Sequence, residues 1–284
     1  MKIKVITDSG SCLNEQQAKE NNIEFLPLQV SIDEHVFLDG INLTTEELYD
    51  YLDKGYMPQT SMPPLGMIEE MFDRFQKEEV TDVVLITLSN GLSSTNTTIQ
   101  ASAKWHNIKV HTLDIYTTLA VENYLALSAS KLVSQNVQVD EIIRRLQEAV
   151  NHSKGFLMPE NLDHLARGGR LSPAAAKLAG LLKIVPILEV SKDTEGKVGG
   201  KSDKVRTMTK AIKKVVDSVC KEANPEDYEV FVLDSRASEQ AQTAQDLFEK
   251  EGYIVHRMDI GAVIAAHTGN RAVGIQFVKK VKGG

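Results

Sequence analysis

The feature that most constrains how this chain can fold is an alternation of strand-like and helix-like segments. Short β-branched runs recur at "IKVIT", "FLPLQVSI", "DVVLITLS" and "IKVHTLD", and between the later ones lie helical periods such as "LGMIEEMFDRFQKE" and "TLAVENYLALSASKLVSQ". Parallel strands need a crossover long enough to hold a helix, so this rhythm predicts an α/β fold: a mostly parallel sheet with helices on both faces. It runs from Met1 to about Asn151 and defines an N-terminal α/β domain, residues 1–154.

Beyond Gly155 the rhythm changes. "GFLMP" leads to a helix start at "ENLDHLARGGR", then a helix over "SPAAAKLAGLL", then strand-like runs in "IVPILEVSKDTEGKVGG" with turn residues at Asp193 to Gly196. A long basic helix follows from Thr207 to Glu222. The strands "YEVFVLDS" and "YIVHRMDI" flank the helical "SEQAQTAQDLFEKEG", and "AVGIQFV" closes a smaller C-terminal α/β domain, residues 155–284.

Charge and cysteine usage exclude several classes. With a net charge of -7 over 284 residues and no long basic tract, nucleic-acid binding has no electrostatic footprint. Cys12 and Cys220 stand far apart without a C-x-x-C or histidine-rich context, so they read as buried free thiols, with no disulfide scaffold and no metal site. The N-terminus enters a strand instead of an apolar leader, and no apolar run reaches the length of a membrane span. These features predict a cytoplasmic protein.

Hydroxyl-rich segments hold the candidate chemistry. In "MPQTSMPPLG", Thr60 and Ser61 lie in an extended stretch before paired prolines, and they either cap the following helix or face a ligand. In "LITLSNGLSSTNTT", a strand ending at Ser89, a turn at Asn90 and Gly91 and a helix from about Ser93 would set Ser93 and Ser94 at the carboxyl end of a strand. That is where open α/β sheets bind ligands, although a cap explains the same residues. In "AAHTGNRAVGI", His267 stands in a loop-like setting where its ring could meet a hydroxyl or a carboxylate.

Two further segments are cationic. "LARGGRLSPAAA" reads as a glycine C-cap joined to a Ser172–Pro173 helix start, which leaves Arg170 available for an anion. Arg206 precedes a helix carrying Lys210, Lys213 and Lys214, a solvated face or a dock for an acidic partner. "GLSST" also approaches the G-x-S-x-G elbow, and Ser93, Asp234 and His267 fall in the chain order of an α/β-hydrolase. Thr95 replaces the second glycine and no HGGG-type segment is present, so an esterase-like hydrolase using Ser93 and His267 is the alternative reading.

Taken together, "VITDSGSCL", "QTSMPPLG", "LSNGLSSTN", "LARGGRLS", "KVRTMTKAI" and "AAHTGNRAVGI" resemble, in order and over nearly the whole chain, the DegV family, which includes the fatty-acid-binding subunits of bacterial fatty acid kinase. The resemblance implies a two-domain α/β protein holding one long-chain fatty acid between its domains, with no catalysis of its own and no other cofactor. It implies that Thr60 and Ser93 hydrogen-bond the ligand carboxyl, with Ser61 and His267 in the same polar cluster. It further implies a separate ATP-dependent kinase subunit as partner, with Arg206 in docking or phosphate handling. Departures from the family pattern stand at "TSMPP", at Ser94, and at Asn270 and Arg271.

Overall fold

The computed structural model describes residues 2–176 and 184–284. The strands of the N-terminal region are β1 (Ile3–Asp8), β2 (Ile23–Leu26), β3 (Gln29–Ile32), β4 (His35–Leu38), β5 (Gln59–Ser61), β6 (Asp82–Ile86) and β7 (Lys109–Thr112). Its helices are α1 (Glu15–Glu20), α2 (Thr45–Asp53), α3 (Leu65–Lys77), α4 (Thr95–Trp105), α5 (Leu119–Ser134) and α6 (Val139–Asn151). Strands β2, β1, β6 and β7 form, in that order, the expected parallel sheet. Its central strands are apolar on both faces: Val83 and Leu85 meet α3 and α4, while Val84 and Ile86 meet α5.

The run "FLPLQVSI" is two strands and not one. Pro27 has no N–H to donate to a ladder, so β2 stops at Leu26 and the chain leaves the parallel sheet. It resumes as β3, the middle of a separate three-stranded antiparallel sheet with β4 and β5.

The C-terminal region contains β8 (Ser153–Met158), α7 (Leu162–Arg167), α8 (Pro173–Ala176), β9 (Val185–Val190), β10 (Gly199–Val205), α9 (Met208–Glu222), β11 (Tyr228–Ser235), α10 (Ser238–Lys250), β12 (Val255–Asp259), α11 (Ala262–Thr268) and β13 (Ala272–Lys279). Most of the helix expected over "SPAAAKLAGLL" lies outside the described residues. The strands form a six-stranded sheet in the order β10-β9-β8-β13-β11-β12, antiparallel except where β11 meets β12. A division at residue 154 falls inside β8, which belongs whole to this sheet.

The two sheets face each other across a layer of helices. Helix α5 is buried along most of its length, with Lys131 and Ser134 exposed in its last turn: Leu119, Ala120, Val121, Leu125, Ala126, Ala129 and Leu132 are all buried, and one continuous core joins it to Val5 and Ile86 of the parallel sheet and to Leu157, Leu233 and Val278 of the other. A helix with so many apolar residues around its axis must be covered on more than one side. On the far face of the six-stranded sheet, α9 and α10 cover Val230, Val232, Val273 and Ile275, while the lysines expected on a solvated face, Lys210 and Lys213, are exposed. Cys12 and Cys220 are free thiols, each half-buried where full burial was expected.

A second tie joins the regions at the surface. Arg236 reaches Glu46, Asp50 and Asp53 on one side of α2, and the Tyr49 hydroxyl donates to Ile260 O at 2.7 Å.

Where α5 packs on the end of β1, Asp8 and Glu122 lie side by side, both fully buried. Asp8 accepts the N–H groups of Gly10 at 2.8 Å and Leu88 at 3.3 Å, while Glu122 accepts the hydroxyls of Thr118 at 3.1 Å and Thr7 at 3.4 Å. Desolvation pushes Asp8 up to about 7 and raises Glu122 well above the carboxylate range, helped in the latter by the charge of Asp8. Two carboxyls so placed hold a proton between them at neutral pH. The unfolded chain gives that proton up near pH ~4, so the pair's stabilisation is complete below that point and is lost as pH rises through about 7. Glu122→Gln supplies a permanent donor. Its thermal stability relative to the parent chain should therefore be greater at pH 8 than at pH 5, and an identical difference at both values would mean that no proton is shared.

Candidate functional site

In the sheet order β2-β1-β6-β7 the chain leaves β1 toward one side and β6 toward the other, so the loops beyond their carboxyl ends part and leave a crevice. The crevice is the floor of a cavity of about 420 Å³. Leu28, Leu88, Ser93 and Thr117 line it from the parallel-sheet side. Leu157, Val190, Gly274 and Gln276 line it from the six-stranded sheet, with Val263, Ile264 and His267 of α11 between. Most of the lining surface is apolar, so the cavity suits an extended apolar chain.

Polar groups gather where α11 meets β5. Thr60 is placed on β5 opposite Val30, and its Oγ1 lies 2.7 Å from His267 Nε2 in a hydrogen bond. Ser61, the next residue, is exposed and also lines the cavity. The capping alternative for these two hydroxyls is excluded, because the residue before α3 is Pro64 and no side chain caps that helix.

Burial first, and then the charges of Arg170 and His164, push the His267 imidazole down to about 4, so the ring is neutral at neutral pH. Its Nδ1 is buried with no hydrogen-bond partner among the described residues and lies so close to Gly168 that a Cβ there would come within 2.8 Å. Arg170 completes this corner: it lines the cavity while its Nη1 donates to Gly168 O at 2.9 Å. The expected turn is present, with Gly169 in the left-handed region at φ +71 after α7, and Ser172 accepting the Ala175 N–H at 3.2 Å.

Ser93 lines the cavity but is not the cap of α4: the residue before that helix is Ser94, and no side chain caps it. The Ser93 Oγ accepts the Thr95 N–H at 3.2 Å at the start of α4. Strand β6 ends at Ile86 and α4 begins at Thr95, so the loop between is longer than the sequence suggested. Gly91 is needed there for a close approach: a Cβ on it would lie 2.5 Å from Glu195 O, at the tip of the β9–β10 hairpin.

Arg206 is exposed at the end of β10 and is not among the lining residues. Asn270 and Arg271, where the chain departs from the family pattern, also stay outside the cavity. Asn270 donates to Tyr49 O at 2.9 Å and Asp53 at 2.7 Å, and Arg271 pairs with Glu160 at 3.5 Å.

The hydrolase triad is not assembled. Asp234 accepts from Arg257 at 2.8 Å and from the Ala237 N–H at 2.8 Å, and His267 Nε2 is bonded to Thr60, whereas Ser93 Oγ is bonded to Thr95 at 2.8 Å. Among the described residues no group of three or more His, Cys, Asp or Glu is placed to hold a metal ion, and no helix is long and apolar enough to cross a membrane.

Sequence reasoning missed Thr117, Gln276 and the Asp8–Glu122 pair beside the cavity. Glu122 did carry a signal: it is the lone acid in the apolar run "TLAVENYLAL".

Comparison with known proteins agrees with this fold. The model of the DegV family, described as an uncharacterised protein family, matches residues 2–280. A DegV domain-containing protein of Streptococcus pyogenes serotype M1 is 32% identical over 277 residues, 96% of this chain and 97% of that one. The structure of a fatty-acid-binding DegV family protein from Streptococcus agalactiae superposes with a TM-score of 0.89 at 30% identity, covering 99% of both chains. That of DegV from Bacillus subtilis, described as a fatty acid binding protein, superposes with a TM-score of 0.87 at 29% identity, covering 99% of this chain and 100% of the other. With its layered fold and its cavity at the switch point, and with a family match over nearly its whole length, the chain belongs to the DegV family.

Proposed function

We propose that this protein binds one long-chain fatty acid of the palmitate type and presents its carboxyl group to a partner ATP-dependent kinase subunit, without catalysis of its own and with a role in lipid transport or fatty acid metabolism. What supports this reading is a largely apolar cavity whose lining includes Thr60, Ser61, Ser93 and His267, with Thr60 and His267 hydrogen-bonded to each other. The fatty acid binding of the Streptococcus agalactiae and Bacillus subtilis relatives supports the ligand class. On this reading the halves 1–154 and 155–284 are the two domains and the ligand lies between them.

Affinity would come from the chain and orientation from the hydroxyls. At roughly 0.8 kcal/mol per buried CH₂, a sixteen-carbon chain offers about 11 kcal/mol before ordering costs. Neutral donors in a dry site leave the carboxyl incompletely stabilised as an anion, which raises its pKa and poises it for transfer chemistry at the partner. Arg206 lies exposed and outside the cavity lining, as a residue for docking or phosphate handling would. Arg170 is the cation nearer the head group.

Denaturing extraction and mass spectrometry of the purified protein should yield a long-chain fatty acid in stoichiometric amount. Protein that yields none and also fails to take up added palmitate overturns the reading. Ser93→Ala should weaken palmitate binding by on the order of 1 kcal/mol in a titration, and an unchanged affinity would remove Ser93 from the head-group site. Arg206→Ala should leave binding intact and reduce phosphorylation by the kinase subunit, whereas equal loss of both would assign Arg206 to the fold.

A further inference from the structure

The register of the six-stranded sheet orders the cavity lining along β13. Side chains alternate along β13: Val273, Ile275 and Phe277 pack under α9 and α10, while Ala272 and Val278 belong to the core between the sheets. Gly274 and Gln276 share that inner face and line the cavity. The chain enters β13 directly from α11 and His267, so the strand leads away from the polar corner. At 3.3 Å per residue, Gly274 lies ~7 Å and Gln276 ~13 Å beyond Ala272. On the neighbouring strands Gln276 is opposite Gly155, and Gly155 is opposite Val190, so these three lining residues sit side by side at the end of the wall farther along β13 from His267.

Gln276 is fixed in place. Its Nε2 donates to Thr117 Oγ1 at 3.1 Å and to Thr118 O at 3.0 Å, and its Oε1 accepts the Val121 N–H at 3.1 Å, a donor in the first turn of α5 with no partner inside the helix. This end of the wall is therefore rigid, and the space in front of it exists because residue 155 has no side chain. A Cβ at Gly155 would meet Gln276 Nε2 at 3.2 Å and Thr117 Oγ1 at 3.5 Å. A Cβ at Gly274, halfway along, would meet nothing closer than Leu233 Cβ at 3.5 Å.

We propose that Gly155, backed by Gln276 and Val190, sets the length of acyl chain this protein accepts, and that Gly274 sets the girth of the passage leading to it. The inference rests on the fatty-acid reading given above and names the residues that determine specificity within that site.

The test is competitive titration of the full-length protein with dodecanoate, palmitate and stearate, for the parent chain and for Gly155→Ala, Val190→Ile and Gly274→Ala. Gly155→Ala should weaken stearate by about tenfold relative to dodecanoate, the worth of roughly two excluded methylenes. Val190→Ile adds one carbon at the same end of the wall without approaching the Gln276 clasp and should act in the same direction, which decides the matter should the alanine fail to fold. Gly274→Ala should weaken dodecanoate and stearate alike. Equal losses of dodecanoate and stearate in the Gly155 and Val190 variants, or none, overturn the length gauge while leaving fatty acid binding in place. A parent chain that binds none of the three acids overturns the binding reading itself, and the gauge with it.

Discussion

Burial of α5 from both sides is the constraint on which the rest of this structure depends. A helix whose apolar residues face two directions cannot rest on a single sheet, because one of those sides would stay in water. The parallel sheet covers one side through Val5, Val84 and Ile86, and the second sheet must cover the other through Leu157, Leu233 and Val278. The cavity lies in the same helical layer, between the start of α5 at Leu119 and α11 at Val263, where the two sheets continue but the helix does not. An apolar ligand there would extend the packing that α5 provides elsewhere.

Polar groups are placed around this layer so that each has a reason to stay. The Thr60–His267 bond joins residues 207 positions apart and holds β5 against α11. Gln276 satisfies the first turn of α5 and in doing so is fixed in the cavity wall. Asp8 and Glu122 are tolerated because they share a proton and receive backbone and hydroxyl donors. Gly91 lets the backbone of the β9–β10 hairpin come within contact of the loop after β6.

How much of this was legible varies with the range of the interaction. The alternation of "DVVLITLS" and "IKVHTLD" with helical runs gave the parallel sheet directly, because strand and helix periods are local. The capping of α9 by Thr207 and the left-handed turn at Gly169 were likewise readable from neighbouring residues. Pro27 was readable too, as a break in "FLPLQVSI", had its missing donor been weighed against the run of β-branched residues. The antiparallel order of the second sheet was not, because a strand's own residues do not state its partner.

The same division applies to the site. By itself the sequence determined the strand and helix segments, the hydroxyl-rich segments at Thr60, Ser61 and Ser93, and, through six motifs in order, the family. Only the tertiary structure decided that Thr60 would meet His267 instead of capping α3, that Asp234 would turn to Arg257, and that Arg206 would stand outside the cavity. It also decided that Gly155 and Gln276 would sit side by side in the cavity wall. The reason is physical: these outcomes depend on strand register and on which faces the two sheets present to α5, and both are set by packing between segments more than a hundred residues apart.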